Sequence, residues 1–149
     1  MNETIKYIHY GHETFDTKKF EKVENRLDSS KPKGGLWGCK VSTKKGWKEW
    51  CQNNNFSEDR LSMHFMFSLH KNSKILIIDN SEILKTLPRN KNAFASKIWI
   101  TLDFEELSKK YDAIEVLISK DFRLYHDLLT WDCDSIFIMN PNIIEVYES

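Results

Sequence analysis

Residues 34–51 read GGLWGCKVSTKKGWKEWC, and this segment holds three of the five tryptophans in the chain. The run GLWGCKV is rich in β-forming residues and predicts a short strand over 35–41. Residues 42–54 have apolar side chains at helical spacing and predict a helix, which the following asparagines end. A strand and the next helix would therefore both carry tryptophan.

The tryptophans of this segment allow two interpretations. They could pack the helix onto the sheet, since an indole buries a large apolar area. Alternatively, Trp37 from the strand and Trp50 from the helix could hold a flat ring between them, with Trp47 and Cys51 on the same helical face as Trp50. A positively charged ring would gain cation–π stabilisation there, and the glycines at 34–35 would let the backbone approach a ligand.

Outside this segment, strand patterns alternate with short helical patterns. Further strands are predicted over 4–10, 61–69, 74–79, 112–118, 135–140 and 143–148. Further helices are predicted over 80–87, 104–110 and 121–129. A four-residue spacer of the sequence HKNS separates the second and third of these strands, so we expect them to form a hairpin. The pattern predicts an α+β fold and a single domain over residues 1–149.

Two details of this pattern concern individual side chains. Asp103 precedes the helix predicted over 104–110 and is placed to cap it. In the strand over 112–118, Ile114, Val116 and Ile118 alternate with other residues and should point into the core.

The composition and the cysteine spacing argue against several classes of protein. The 149 residues contain 22 Lys and Arg and 22 Asp and Glu, so the basic surplus typical of a nucleic-acid-binding protein is lacking. The first residues are charged throughout and predict no signal peptide, and no segment has the apolar length of a membrane span. The three cysteines have no CxxC spacing, so we expect neither a metal site nor disulfides. A cytoplasmic protein that does not contact a membrane is expected.

Two further motifs carry candidate functional residues. In YIHYGHE, His9 lies at the end of a strand just before Gly11, whose backbone amide and carbonyl could face a ligand. In WDCDSIFIMNP, Asp132 and Asp134 are two positions apart at the start of a strand, where side chains two apart point the same way. Paired carboxylates stabilise positive charge on a sugar in glycosidases. Glu115 is an alternative acid.

These motifs, in this order, resemble those of the ADP-ribosyltransferase family, in particular its diphtheria-toxin and poly(ADP-ribose)-polymerase branch. The chain is similar to a small bacterial or phage-type member of that family. IHYG, with His9 and Gly11, is similar to the motif, His-x-Gly or His-Gly, that ends the first strand of the family. GGLWGC and GWKEWC put Trp37 and Trp50 where the family has two tyrosines. DSIFIMNP puts Asp134 at the position of the catalytic glutamate.

The chain departs from the family pattern at three points. Tryptophan replaces both tyrosines, which keeps the stacking faces and loses the hydroxyl groups. Tyr10 separates His9 from Gly11. Asp134 is one methylene shorter than the glutamate, and a displacement of about 1 Å can cost on the order of 10²-fold in rate.

The resemblance implies a split β-sheet core with short flanking helices and a mono-ADP-ribosyltransferase that uses NAD as its substrate. Such a glycosyltransferase cleaves the nicotinamide–ribose bond and passes ADP-ribose to an acceptor, a protein or a nucleic acid. Asp134 would stabilise charge on the ribose, and His9 would bind a ribose hydroxyl. The implied NAD-binding residues are His9, Tyr10, Gly11, Gly35, Leu36, Trp37, Ser42, Trp47 and Trp50.

Two other functions remain open from the sequence. The substitutions for tyrosine and glutamate fit a catalytically inactive module that binds NAD or ADP-ribose. A nuclease-like or RNA-binding toxin would instead use several histidines with the basic run at 31–48. The histidines are His9, His64, His70 and His126. The lysines are Lys31, Lys33, Lys40, Lys44, Lys45 and Lys48.

Overall fold

A computed structural model describes residues 4–26, 31–56, 58–91, 100–128 and 131–147 of the chain. The described residues contain seven strands. These are β1 (Tyr7–Tyr10), β2 (Leu36–Lys40), β3 (His64–Leu69), β4 (Ile75–Ile78), β5 (Ala113–Val116), β6 (Ser135–Ile138) and β7 (Ile144–Val146). They also contain four short α-helices. These are α1 (Trp47–Asn54), α2 (Ser81–Leu84), α3 (Phe104–Leu107) and α4 (Arg123–Asp127). The predicted α+β class is confirmed.

The strands form one mixed sheet in the order β4-β5-β6-β2-β1-β3-β7, and every neighbouring pair is antiparallel except β4 with β5. In the middle of this sheet, β1 and β2 share only two register pairs, Tyr7 with Lys40 and Ile8 with Cys39. The other end of β2, residues 36–38, pairs with β6 instead. The last residues of β1 and the first residues of β2 therefore diverge and leave a gap between the two halves of the sheet.

The predicted hairpin of residues 61–69 with 74–79 is wrong. β3 pairs with β1 and β7, and β4 lies at the opposite edge of the sheet, parallel to β5. Asp112 fixes this arrangement, because its carboxylate accepts the amide of Lys74 at 2.8 Å and its own amide donates to the Lys74 carbonyl at 2.7 Å. A contact between residues distant in sequence thus overrides the short spacer.

Two hydrophobic clusters cover the two faces of the sheet. Along β6, Phe137 belongs to the cluster under the helices, whereas Ile136 and Ile138 belong to the cluster with Tyr7 and Phe67. This alternation is the period of two expected for a strand buried on both faces. The predicted inward orientation of the hydrophobic residues in 112–118 is confirmed, since they are buried in the first cluster. These residues are Ile114, Val116 and Ile118.

Several elements are shorter than the sequence pattern predicts. The first strand begins at Tyr7 rather than at residue 4, and β3 begins at His64 because residues 58–62 form a 3-10 turn. The helix predicted over 42–54 begins at Trp47, after a turn in which the Thr43 hydroxyl accepts the amide of Lys45.

Two predicted helix ends are confirmed. Asp103 caps α3, with its carboxylate accepting the amide of Glu106 at 3.1 Å. Asn55 ends α1 in the left-handed conformation, with a φ of 50°. Among the described residues, no helix has both the length and the apolar character that crossing a bilayer requires. Residues 88–98 carry no helix or strand pattern in the sequence and are expected to be irregular, and most of this segment lies outside the described residues.

Candidate active site

A cavity of about 410 Å³ lies where β1 and β2 diverge. Its walls come from the end of β1, from β2, from the segment 131–133 before β6, and from α1 with the residues that follow it. This volume is within the range of about 300–1,000 Å³ usual for small-molecule sites. Phe56, Arg60 and His12 line the cavity and are exposed, so it opens at the surface.

His9 joins the two strands at the point where their ladder stops. Its Nδ1 lies 2.6 Å from the carbonyl oxygen of Trp37, and its Nε2 lies 2.9 Å from Nδ1 of His12. A carbonyl can only accept, so Nδ1 of His9 carries a proton. In the neutral ring Nε2 is then an acceptor, held in place by ring contacts with His12 and Phe65, both at 5.1 Å.

Burial lowers the pKa of His9 below its ordinary value. The hydrogen bond to the Trp37 carbonyl acts in the opposite direction, and the neighbouring His12 lowers the pKa further. The imidazole is therefore kept neutral near pH 7, with a fixed tautomer in which Nε2 is the acceptor and pairs with His12.

This buried imidazole makes stability depend on pH. Because the pKa of His9 is lower in the folded than in the unfolded chain, the unfolded chain binds a proton first as the pH falls. The contribution of neutral His9 to the free energy of unfolding is complete above a pH of about 6.5 and is lost as the pH falls through the lowered folded pKa. We expect the free energy of unfolding to fall more over this interval in the wild type than in His9→Gln. Urea denaturation at each pH measures it, and identical pH profiles would contradict the expectation.

The predicted pairing of Trp37 with Trp50 is not formed. Trp37 is half-buried and contacts Trp131 and Phe137, with ring centroids 4.8 and 4.6 Å apart. Trp50 stacks on Trp47 at 5.1 Å and 11°. Because α1 begins at Trp47, these two residues lie three apart on one helical face and pack against each other. Trp47 lines the cavity and Trp50 does not.

Trp131 takes the place beside Trp37 that the sequence assigned to Trp50. It lines the cavity and is only 1% exposed. Its Nε1 is buried and has no hydrogen-bond partner within the described part of the chain. An unpaired buried donor costs about 1–3 kcal/mol, and an acceptor on a ligand that reached this indole edge would offset that cost.

The two aspartates have different surroundings. Asp134 is buried, and its carboxylate accepts the amide of Ser119 at 2.8 Å and the hydroxyl of Ser119 at 2.5 Å. It is not among the residues that line the cavity, whereas Asp132 is. The prediction that both side chains share one face assumed strand geometry, but β6 begins only at Ser135. Burial raises the pKa of Asp132, and the charge of Lys31 opposes this increase.

The glycines act differently from the prediction. The amide of Gly11 donates to the Met63 carbonyl at 2.7 Å, so it cannot hold a ligand without breaking that bond. Glycine is required there by the backbone, whose φ is 113°. Close packing is not the reason, since an added Cβ would meet nothing within 4 Å. At Gly35 a Cβ would lie 2.4 Å from the Phe137 ring, so this glycine permits close packing on β6.

Three further predicted residues lie at different distances from the cavity wall. Tyr10 lines the cavity, and its ring meets that of His64 edge-on at 5.8 Å. Leu36 packs in the second hydrophobic cluster, and Ser42 is exposed in the turn after β2. Neither Leu36 nor Ser42 lines the cavity.

The basic run at 31–48 does not form one surface. Lys31 lines the cavity, with its Nζ 5.6 Å from the ring centroid of Trp37. Lys40 instead lies 3.5 Å from the carboxylate of Glu115, a buried residue of β5 that does not line the cavity. Of the histidines proposed for a nuclease-like site, His9 alone lines the cavity. The described residues contain no cluster of three or more His, Cys, Asp or Glu side chains suited to a metal ion.

No protein-family model matches the sequence, and no curated protein or solved structure matches it significantly. The resemblance of its motifs to the ADP-ribosyltransferases therefore stays a prediction. The function has to be inferred from the chemistry of the cavity.

Proposed function

We propose that the protein is a mono-ADP-ribosyltransferase with the split-sheet fold of that family, and that it binds NAD in the cavity between β1 and β2. The observation that carries the proposal is the grouping of a neutral imidazole, two indoles and a carboxylate around one cavity. These groups belong to His9, Trp37, Trp131 and Asp132. The gap in the sheet supports it further, because it opens the cavity beside the first-strand histidine.

Each part of NAD has a counterpart among these residues. The cationic nicotinamide ring suits the indole face of Trp37, near which the Lys31 ammonium group now lies, 5.6 Å from the ring centroid. The carboxamide oxygen is an acceptor for the unpaired Nε1 of Trp131. A ribose hydroxyl can donate to Nε2 of His9, which now pairs with His12. Lys31 and Arg60, both on the cavity wall, suit the diphosphate.

The chemistry requires little more than charge stabilisation. When the bond between nicotinamide and ribose breaks, its electron pair stays with the nicotinamide nitrogen and leaves a neutral ring. Positive charge develops on the ribose, and the carboxylate of Asp132 stabilises it before an acceptor attacks. We assign this role to Asp132 rather than to Asp134, because Ser119 already binds both oxygens of the Asp134 carboxylate.

The surroundings of Asp134 favour a second candidate function, a module that binds NAD without cleaving it. The Asp134 carboxylate is bound by Ser119 and does not line the cavity. If cleavage of NAD needs this residue at the position of the family's glutamate, the protein would bind NAD and leave it intact. Binding without release of nicotinamide would identify this module.

The test measures NAD binding by tryptophan fluorescence and nicotinamide release by chromatography. We expect both with the wild type. His9→Ala should bind NAD about tenfold or more weakly, since removing one partner of a buried hydrogen bond costs about 1–3 kcal/mol. The matched control is His70→Ala, which changes an exposed histidine outside the cavity and should behave as the wild type. No binding at all, or salt-sensitive RNA binding alone, would overturn the proposal.

A further inference from the structure

Two of the three cysteines lie together on the cavity wall. Cys39 of β2 is 4% exposed and Cys133, just before β6, is 8% exposed, and both line the cavity. Gly38 of β2 pairs with Ile136 of β6, so the two cysteines lie on neighbouring segments of backbone, and both are free thiols. The third cysteine, Cys51 of α1, is fully buried and does not line the cavity. The pair therefore combines close contact with access to a small molecule that enters the cavity.

The surroundings give the two sulfurs different roles. The amide of Trp47, the first residue of α1, donates to Sγ of Cys39 at 3.3 Å. The neighbouring Cys133 thiol is the main cause that lowers the pKa of Cys39, against the opposing effect of burial. The same contact and burial raise the pKa of Cys133. Cys39 is therefore the more acidic of the two thiols, and we assign it the nucleophilic role and Cys133 the resolving role.

We propose that Cys39 and Cys133 form a peroxide-reactive dithiol that closes to a disulfide across the cavity wall. In the first step the Cys39 thiolate attacks hydrogen peroxide, the O–O bond breaks, and a sulfenic acid and hydroxide form. In the second step the Cys133 sulfur attacks the Cys39 sulfur, the S–O bond breaks, and water leaves with the Cys133 proton. The dithiol loses two electrons and the peroxide gains them. This chemistry is independent of NAD.

The experiment treats the reduced full-length protein with one equivalent of hydrogen peroxide. We expect two of the three thiols to be lost on counting after denaturation, and a mass lower by two hydrogen atoms. Peptide mapping should join the peptides of Cys39 and Cys133, and dithiothreitol should restore all three thiols. Three remaining thiols, or a cross-link that involves Cys51, would overturn the proposal.

Single variants separate the two steps. Cys133→Ser should stop at the sulfenic acid, which a dimedone probe labels on Cys39. Cys39→Ser should leave Cys133 unoxidised, because the neutral thiol is a poor nucleophile. Cys51→Ser is the matched control and should form the disulfide as the wild type does. Dimedone labelling of Cys133 rather than Cys39 would contradict the assigned roles, and the wild-type mapping decides the proposal even if a variant does not fold.

Discussion

Asp132→Asn is expected to lower the rate of nicotinamide release from NAD by about 10²–10³-fold, the usual cost of removing one group that stabilises transition-state charge. The amide keeps the shape of the carboxylate and removes its charge. Because that charge matters only once positive charge develops on the ribose, NAD affinity should change far less than turnover. We therefore expect kcat and kcat/KM to fall together.

Asp134→Asn should give a different result. Its carboxylate accepts two hydrogen bonds from Ser119 away from the cavity lining, so the substitution removes a charged acceptor from the fold. Hydrogen bonds to charged groups contribute about 1.5–3 kcal/mol, and the loss should appear in the free energy of unfolding. Nicotinamide release by the protein that remains folded should stay near the wild-type rate.

The two aspartate variants are compared by steady-state nicotinamide release and by urea denaturation, with Asp79→Asn as the matched control. Asp79 is exposed, with its carboxylate accepting the side-chain amide of Asn80. Its variant should leave both measurements unchanged. If Asp134→Asn abolished release at unaltered stability while Asp132→Asn stayed active, the roles assigned to these residues would be wrong.

The sequence predicted local elements well because their determinants are local. Apolar alternation located β5 and β6, and the carboxylate of Asp103 marked the start of α3. Strand pairing was predicted less well, since β4 lies beside β5 through contacts of Lys74 with Asp112, and the short spacer after β3 indicated a hairpin instead. A pairing of this kind depends on residues far apart in the chain, which no local pattern records.

The candidate site shows the same limit. The sequence predicted His9 at the cavity and Trp37 beside it, because each lies on a regular strand. It did not predict that Trp131 and Cys133 line the cavity, since these residues precede β6 in irregular backbone where the period of two gives no direction. The run WDCD places an indole, two carboxylates and a thiol directly before a buried strand, and this combination could have indicated a functional site. Its interpretation as paired carboxylates gave Asp134 the wrong surroundings.

Trp131→Ala is expected to have the largest effect on stability, lowering the free energy of unfolding by about 3–5 kcal/mol. The side chain is fully buried, and its ring stacks on Phe104 at 6.3 Å and meets Trp37 edge-on at 4.8 Å. Truncation would leave a void between the helices and the sheet, which close-packed neighbours fill only in part. Urea denaturation measures the loss, and Trp50→Ala, on the half-buried face of α1, should cost clearly less.

Trp131→Phe separates the packing role of this residue from its role as a donor. Phenylalanine keeps most of the apolar volume and removes Nε1, whose hydrogen-bonding capacity is unused in the described part of the chain. Losing an unpaired donor costs the fold nothing, so the variant should be much more stable than Trp131→Ala. If the NAD carboxamide accepts from Nε1, the same variant should bind NAD about tenfold or more weakly, as titration by isothermal calorimetry would record. Unchanged NAD affinity would show that Trp131 contributes packing alone, and the carboxamide would then need another donor on the cavity wall.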